Sequence, residues 1–189
     1  MPPIYQPAED SYLMSEYLEK ILPDIIKENP NLKFLEIGVG SGINLETAKK
    51  SGVKKENILG TDINPEAVKH CKEQGFNCIQ SDLFNKVKGK FDLIVFNPPY
   101  LPLDEKELLK SRLETTGGKK GNEISIEFLR QAKKYLRKYG KVILITSSLS
   151  ENIDFEELVF KSKKIEEKKL FYEKLALWEC WLKKLAKPL

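Results

Sequence analysis

Cysteine and histidine are scarce in this 189-residue chain: three of the first and one of the second. Cys71, Cys78 and Cys180 are odd in number and none belongs to a Cys-x-x-Cys pair, so a zinc site lacks its soft ligands. No metal is expected, and the thiols read as reduced and buried. Long apolar runs are missing too. The longest are strand-sized, and Met-Pro-Pro-Ile-Tyr-Gln at the amino terminus has neither the basic region nor the apolar stretch of an export signal, so the expected location is cytoplasmic. There is no concentrated basic arm. A net charge of +4 sits among 32% charged residues, with most lysines alternating with glutamates, so nucleic-acid binding is permitted but not indicated. Repeats, low-complexity tracts and linkers are absent as well. Residues 1–189 are therefore expected to form a single domain, whose core 41% hydrophobic residues can fill.

What is there centres on Phe91-Asp92-Leu93-Ile94-Val95-Phe96-Asn97-Pro98-Pro99-Tyr100. Leu93 to Phe96 read as a strand buried on both faces, as in a parallel sheet, and Asn97 falls at its carboxyl end. Open α/β sheets bind ligands there, and two prolines cannot extend a ladder, so Asn97 to Tyr100 should form a stiff loop over a pocket. A plain strand-ending turn is the alternative.

Four further strands follow the same rhythm. Tyr5-Gln6-Pro7-Ala8-Glu9-Asp10-Ser11 leads into a helix carrying Leu13, Tyr17, Ile21 and Leu22, with Pro23 and Pro30 punctuating its end. Leu32 to Ile37 is a strand that runs into Glu36-Ile37-Gly38-Val39-Gly40-Ser41-Gly42 and then a helix. Glycines there let backbone pass close to a ligand, and the spacing departs from the dinucleotide pattern, which favours another adenosine-containing ligand over a pyrophosphate. Asn57 to Asp62 and Asn77 to Asp82 are strands ending in carboxylates. Asp62 can accept from both hydroxyls of a ribose, and Leu83 can pack on a purine beside Asp82; simple caps of the next segments are the other reading. His70 reads as a surface or packing residue. Leu101 to Asn122, with a short charged helical pattern around Glu105 to Leu113 followed by Thr115 to Gly121, reads as a lid or a mobile segment. Ile124 to Leu136 is an amphipathic helix ended by Gly140, Lys141 to Thr146 the fifth strand, Asp154 to Lys161 a helix, and 164–171 with 175–182 a terminal hairpin.

The glycine turn, Asp62, Asp82 and Asn97-Pro98-Pro99-Tyr100, in this order, resemble the seven-strand methyltransferases that use S-adenosylmethionine. Tyr5 to Ser11, Asp62-Ile63-Asn64-Pro65-Glu66-Ala67 and Gly117 to Gly121 further resemble the archaeal and eukaryotic HemK-type branch. The resemblance implies an α/β fold: a seven-stranded, mostly parallel, Rossmann-like sheet with helices on both faces and an antiparallel carboxyl-terminal hairpin. It implies S-adenosylmethionine bound by Ser11, Glu36, Gly38, Gly40, Asp62, Ile63, Asp82, Leu83 and Asn97, with S-adenosylhomocysteine as product. It also implies methylation of the glutamine in the Gly-Gly-Gln motif of a translation release factor. Asn97, Pro98, Pro99 and Tyr100 would then hold the substrate, with Asn97, Pro98 and Tyr100 catalytic. Relatives of this branch work with a small activator protein, zinc-binding in some lineages. An edge strand at Phe76 to Ile79 is its expected seat.

From the residues alone, Asn97 is no base. Its side-chain oxygen and the Pro98 carbonyl can accept the two N–H bonds of a planar amide, freeing the nitrogen lone pair to aim at a methyl donor, while Tyr100 stacks on the amide. The same group serves an exocyclic amine of an rRNA, tRNA or DNA adenine, and a lysine of another protein is a further acceptor. A cofactor-binding subunit without catalysis is the reading of a different class.

Overall fold

A computed structural model describes residues 4–104 and 115–183. Helix α1 (Glu9–Glu28) is followed by β1 (Phe34–Ile37), α2 (Ile43–Lys50), β2 (Ile58–Asp62), α3 (Pro65–Glu73), β3 (Asn77–Gln80) and β4 (Phe91–Phe96). Two short strands come next, β5 (Leu101–Pro102) and β6 (Thr116–Gly118), then α4 (Glu123–Ala132), β7 (Leu136–Ser147), β8 (Phe160–Lys169) and β9 (Lys174–Leu182). The main sheet has the order β3-β2-β1-β4-β7-β9-β8. Its first five strands are parallel, and β9 runs antiparallel to both β7 and β8. The expected seven-stranded sheet with a terminal hairpin is thus present. Strand order reverses between β1 and β4, which opens a crevice at their carboxyl ends.

Alternation along β4 shows why it reads as continuously apolar. Leu93 and Val95 face a core shared with Leu13, Met14 and Leu18 of α1 and Leu45 of α2; Ile94 and Phe96 face another shared with Phe128 and Leu129 of α4. Each face is covered by helices. Full burial of one such side chain stabilises by about 1.5–3 kcal/mol, so this six-residue strand anchors both layers.

Several boundaries differ from expectation. Helix α1 continues through Pro23 to Glu28, because the carbonyl that proline leaves unbonded belongs to exposed Glu19 and can meet water. Helix α4 stops at Ala132, and Leu136 is instead in β7, paired with Phe91. Gly140 is therefore not a helix cap: it sits in a β-bulge where an added Cβ would lie 2.9 Å from the Phe91 carbonyl, beside Tyr139 at φ 67°. Residues 154–159 form a turn rather than a helix; the Asp154 carboxylate accepts the N–H groups of Glu156 and Glu157, and Val159 turns left-handed into β8. Residues 116–118 pair with β5, which ties the two ends of the expected lid segment to each other directly after Tyr100. The helical pattern at 105–113 lies outside the described residues.

Strand β3 is the sheet edge, as expected, but its apolar residues do not line the open side. Phe76 and Cys78 are 4% and 1% exposed and belong to the α1 to α3 core, while half-buried Ile79 packs toward the opposite core. The edge offers backbone groups rather than an aromatic anchor.

Candidate active site

The crevice at the strand reversal is a cavity of about 840 Å³. Its floor is the turn after β1. Gly38 and Gly40 have φ of 69° and 48°, and a Cβ on Gly38 would press to 3.3 Å from the Phe96 ring, so both conformation and space require glycine. Val39 N–H donates to the Thr61 carbonyl at 3.0 Å, tying this turn to β2.

Carboxylates surround the turn. Asp62, the last residue of β2, accepts from Gly40 N–H at 2.9 Å with Oδ2 and from Asn64 N–H at 2.8 Å with Oδ1. Burial pushes its pKa up, while the Gly40, Asn64 and Ile63 amides pull it back. Glu36 is 2% exposed; Oε1 accepts from Asn44 Nδ2 at 2.8 Å, and Oε2 has no partner. Burial holds its carboxyl well above the usual range, against the pull of the Asn44 bond. Asp82 lies past the end of β3, which stops at Gln80 because Ser81 N–H turns to the Asp62 carbonyl at 2.9 Å. Its exposed carboxylate faces the cavity, flanked by Leu83 at φ 42°. Across from it Ile63 is 51% exposed on the cavity wall, an apolar surface next to acids.

The other end of the cavity is built by the residues after β4. Asn97, Pro98 and Pro99 line it, and Asn97 Oδ1 is buried without a hydrogen-bond partner. An unsatisfied buried acceptor costs about 1–3 kcal/mol, so this one is kept at an energetic loss. Tyr100 behaves differently from expectation. It is outside the cavity lining, packs against the α1 core, and donates its hydroxyl to Asp10 Oδ2 at 3.0 Å. The residue after Pro99 turns its ring toward α1, so the stacking position expected for it is not the one the ring occupies here.

Ser11 lines the cavity and is 4% exposed, with N–H and hydroxyl both directed at Asp10 Oδ1. The structure thus gathers Ser11, Glu36, Gly38, Gly40, Asp62, Ile63, Asp82, Leu83, Asn97, Pro98 and Pro99 at one site and leaves Tyr100 behind its wall. Sequence reading missed Asn44 as the partner of Glu36, and Leu103, Ile124 and Glu127 as wall residues. Asn44 carried one usable signal, a polar residue on the inner side of a helix that begins at a glycine turn. Among the described residues, six carboxylates line the cavity (Asp10, Glu36, Asp62, Asp82, Glu123, Glu127) against the single cation Lys119. With an unpartnered Glu36 oxygen among them, the lining suits a cationic ligand. No cluster of potential metal ligands occurs among the described residues.

Two family profiles match. The Eco57I restriction-modification methylase profile covers residues 72–175, and a methyltransferase-domain profile covers residues 35–98. Among curated proteins, one from Methanocaldococcus jannaschii, whose name assigns it to the protein N5-glutamine methyltransferases, is 42% identical over 95% of this chain and 92% of its own. Mouse methyltransferase HEMK2 is 31% identical over 85% of this chain and 78% of its own. Among solved structures, the E. cuniculi Mtq2–Trm112 complex, described as responsible for methylating the termination factor eRF1, contains a chain of the same fold. Its TM-score is 0.68 at 21% identity, covering 95% of this chain and 98% of that one. The length and level of the first two matches place this protein: it belongs to the HemK-type family of S-adenosylmethionine-dependent protein-glutamine methyltransferases.

Proposed function

We propose that residues 1–189 form one domain that methylates the side-chain amide nitrogen of the glutamine in the Gly-Gly-Gln motif of a translation release factor, consuming S-adenosylmethionine and releasing S-adenosylhomocysteine. The observation that carries this is the buried, unpartnered Asn97 Oδ1 beside Pro98 in the cavity.

The residues fit the cofactor. Gly38 and Gly40 leave room for its methionine part, with Glu36 and Ser11 beside them. Asp62 has lone pairs left for ribose hydroxyls, and Ile63, Asp82 and Leu83 form the adenine wall. When bound, the cofactor supplies an electrophilic methyl on a cationic sulfonium, which the acidic lining complements. Everything else falls to the acceptor end. A glutamine NH2 is planar and poorly nucleophilic, and a neutral asparagine oxygen cannot deprotonate it. Asn97 Oδ1 and the Pro98 carbonyl would instead take one N–H each, fixing the nitrogen so that its lone pair points at the methyl. As the N–CH3 bond replaces the S–CH3 bond the nitrogen becomes strongly acidic, and its extra proton would pass to water. Such alignment can lower a barrier by up to about 7–11 kcal/mol. Pro98 and Pro99 hold the acceptors rigid.

The match of residues 72–175 to a restriction-modification methylase favours a second reading, a nucleobase amine as acceptor. That match includes Asn97 to Tyr100, which serves either planar NH2 group. The charge of the lining weighs against it. Among the described residues, the four carboxylates of the lining that are not buried, Asp62, Asp82, Glu123 and Glu127, repel a phosphate backbone, whose binding ordinarily draws on clustered Lys and Arg.

By analogy with the E. cuniculi complex, a small companion protein is proposed to add a strand along β3, zinc-bearing in some lineages. Backbone groups and Ile79 are its contacts, since Phe76 is already buried. A cytoplasmic location accords with a translation substrate.

The test of the site is Asn97→Ala. Calorimetry is expected to find S-adenosylmethionine affinity within about a factor of two of wild type, while turnover on the release factor falls by about a hundredfold or more, since the acceptor acts chiefly in the transition state. Full turnover in the variant contradicts the role given to Asn97.

A further inference from the structure

The Asp10 carboxylate is 4% exposed and receives four neutral donors. Tyr5 hydroxyl lies 3.0 and 2.9 Å from its two oxygens, Tyr100 hydroxyl 3.0 Å from Oδ2, Ser11 N–H 2.6 Å from Oδ1, and Ser11 Oγ 3.3 Å from Oδ1. Lys168, which reaches the same end of α1, pairs with Glu9 instead. A phenol has one proton to give, and two phenols 95 positions apart in sequence spend theirs on this one group.

Each phenol belongs to a different half of the site. Tyr5 passes over the glycine turn: a Cβ placed on Gly40 would lie 3.7 Å from both the Tyr5 Cβ and its carbonyl oxygen. Tyr100 immediately follows the two prolines that fix Asn97. We propose that Asp10 is a positioning residue, clamping the segment over the glycine turn to the loop that carries Asn97 so that cofactor and acceptor amide are held in one geometry. The clamp deepens the functional reading above and rests on it for what the two halves bind. Burial, then the charges of Asp10 and Glu173, push the Tyr100 phenol far up, so it remains a donor across the working pH range. Tyr100 thereby acts through Asn97, not on the substrate.

Tyr100→Phe removes one oxygen and leaves the packing. Because Pro98 and Pro99 have no N–H, the Tyr100 and Leu101 amides report on the loop, and their hydrogen exchange is expected to quicken by about tenfold or more. Turnover should fall by about tenfold while the dissociation constant for S-adenosylmethionine stays within about twofold. Asp10→Asn should do the same, and Asp10→Asn with Tyr100→Phe should be no worse than the worse single change, because both break one link. Tyr5→Phe, at a half-buried position, gives the second arm if Asp10→Asn does not fold. Unchanged exchange and turnover in Tyr100→Phe, or losses that multiply in the double variant, overturn the clamp. Wild-type enzyme inactive on a release factor would overturn the substrate instead, with the exchange measurement still deciding the clamp.

Discussion

An asparagine whose carbonyl oxygen is buried without a partner is a cost to folding, and Asn97 bears it at the end of a strand packed into both cores. Asn97 was legible in sequence because an apolar run that stops at a polar residue and two prolines marks a strand end. The placement of Tyr100 was not legible, since nothing local told that its ring turns to α1 and bonds Asp10. Glu36 bears a second such cost, and its direction can be tested. Its folded pKa is raised by burial, so the folded state holds the proton more tightly than the unfolded chain does. The stability this contributes is complete below the ordinary carboxylate pKa and is lost as pH rises through the raised value; Asp62 is shifted the same way. Glu36→Gln without cofactor should therefore flatten the fall in melting temperature between about pH 4.5 and neutrality, and an unchanged slope would contradict the assignment. For the cofactor acids, Asp82→Ala should weaken S-adenosylmethionine binding by about 1–3 kcal/mol. Asp62→Ala should cost more, because its oxygens also hold the Gly40 and Asn64 amides; calorimetry on folded variants decides both.

At the scale of elements, period and punctuation revealed what local chemistry controls. The five parallel strands and the hairpin were readable from apolar runs and their ends. Pairing decided the rest. Leu136 has helical spacing with Ala132, yet joins β7 because Phe91 is available across the ladder, an arrangement only the tertiary fold supplies. Residues 154–159 have a helical composition but end in Asp154 caps and a left-handed Val159. The edge strand makes the element-scale prediction. Ile79→Glu puts a charge beside the open backbone groups of β3, which opposes strand addition. Such a variant, folded and with unchanged cofactor affinity, should no longer co-purify with the small companion protein. Normal co-purification, or hydrogen-exchange protection of another surface, would remove β3 as its seat.

Across the whole molecule, the strand reversal between β1 and β4 brings two distant motifs together: Gly38 and Gly40 after one strand, Asn97 after the other. The sequence order of these motifs made that convergence readable, because a doubly wound sheet binds at its switch point. The acidic character of the cavity lining was not readable, as its six carboxylates among the described residues come from five separate segments and a net charge of +4 hides them. That local excess favours a cationic methyl donor and a protein amide over a polyanion. The most direct measurement combines purified protein, its companion, S-adenosylmethionine, and a release factor from the same source, followed by mass-spectrometric mapping of the product. A single methyl on the Gly-Gly-Gln glutamine side chain, absent with Asn97→Ala and absent when that glutamine is replaced, is the predicted result. An unmodified factor beside methylated adenine in added rRNA, tRNA or DNA would contradict it.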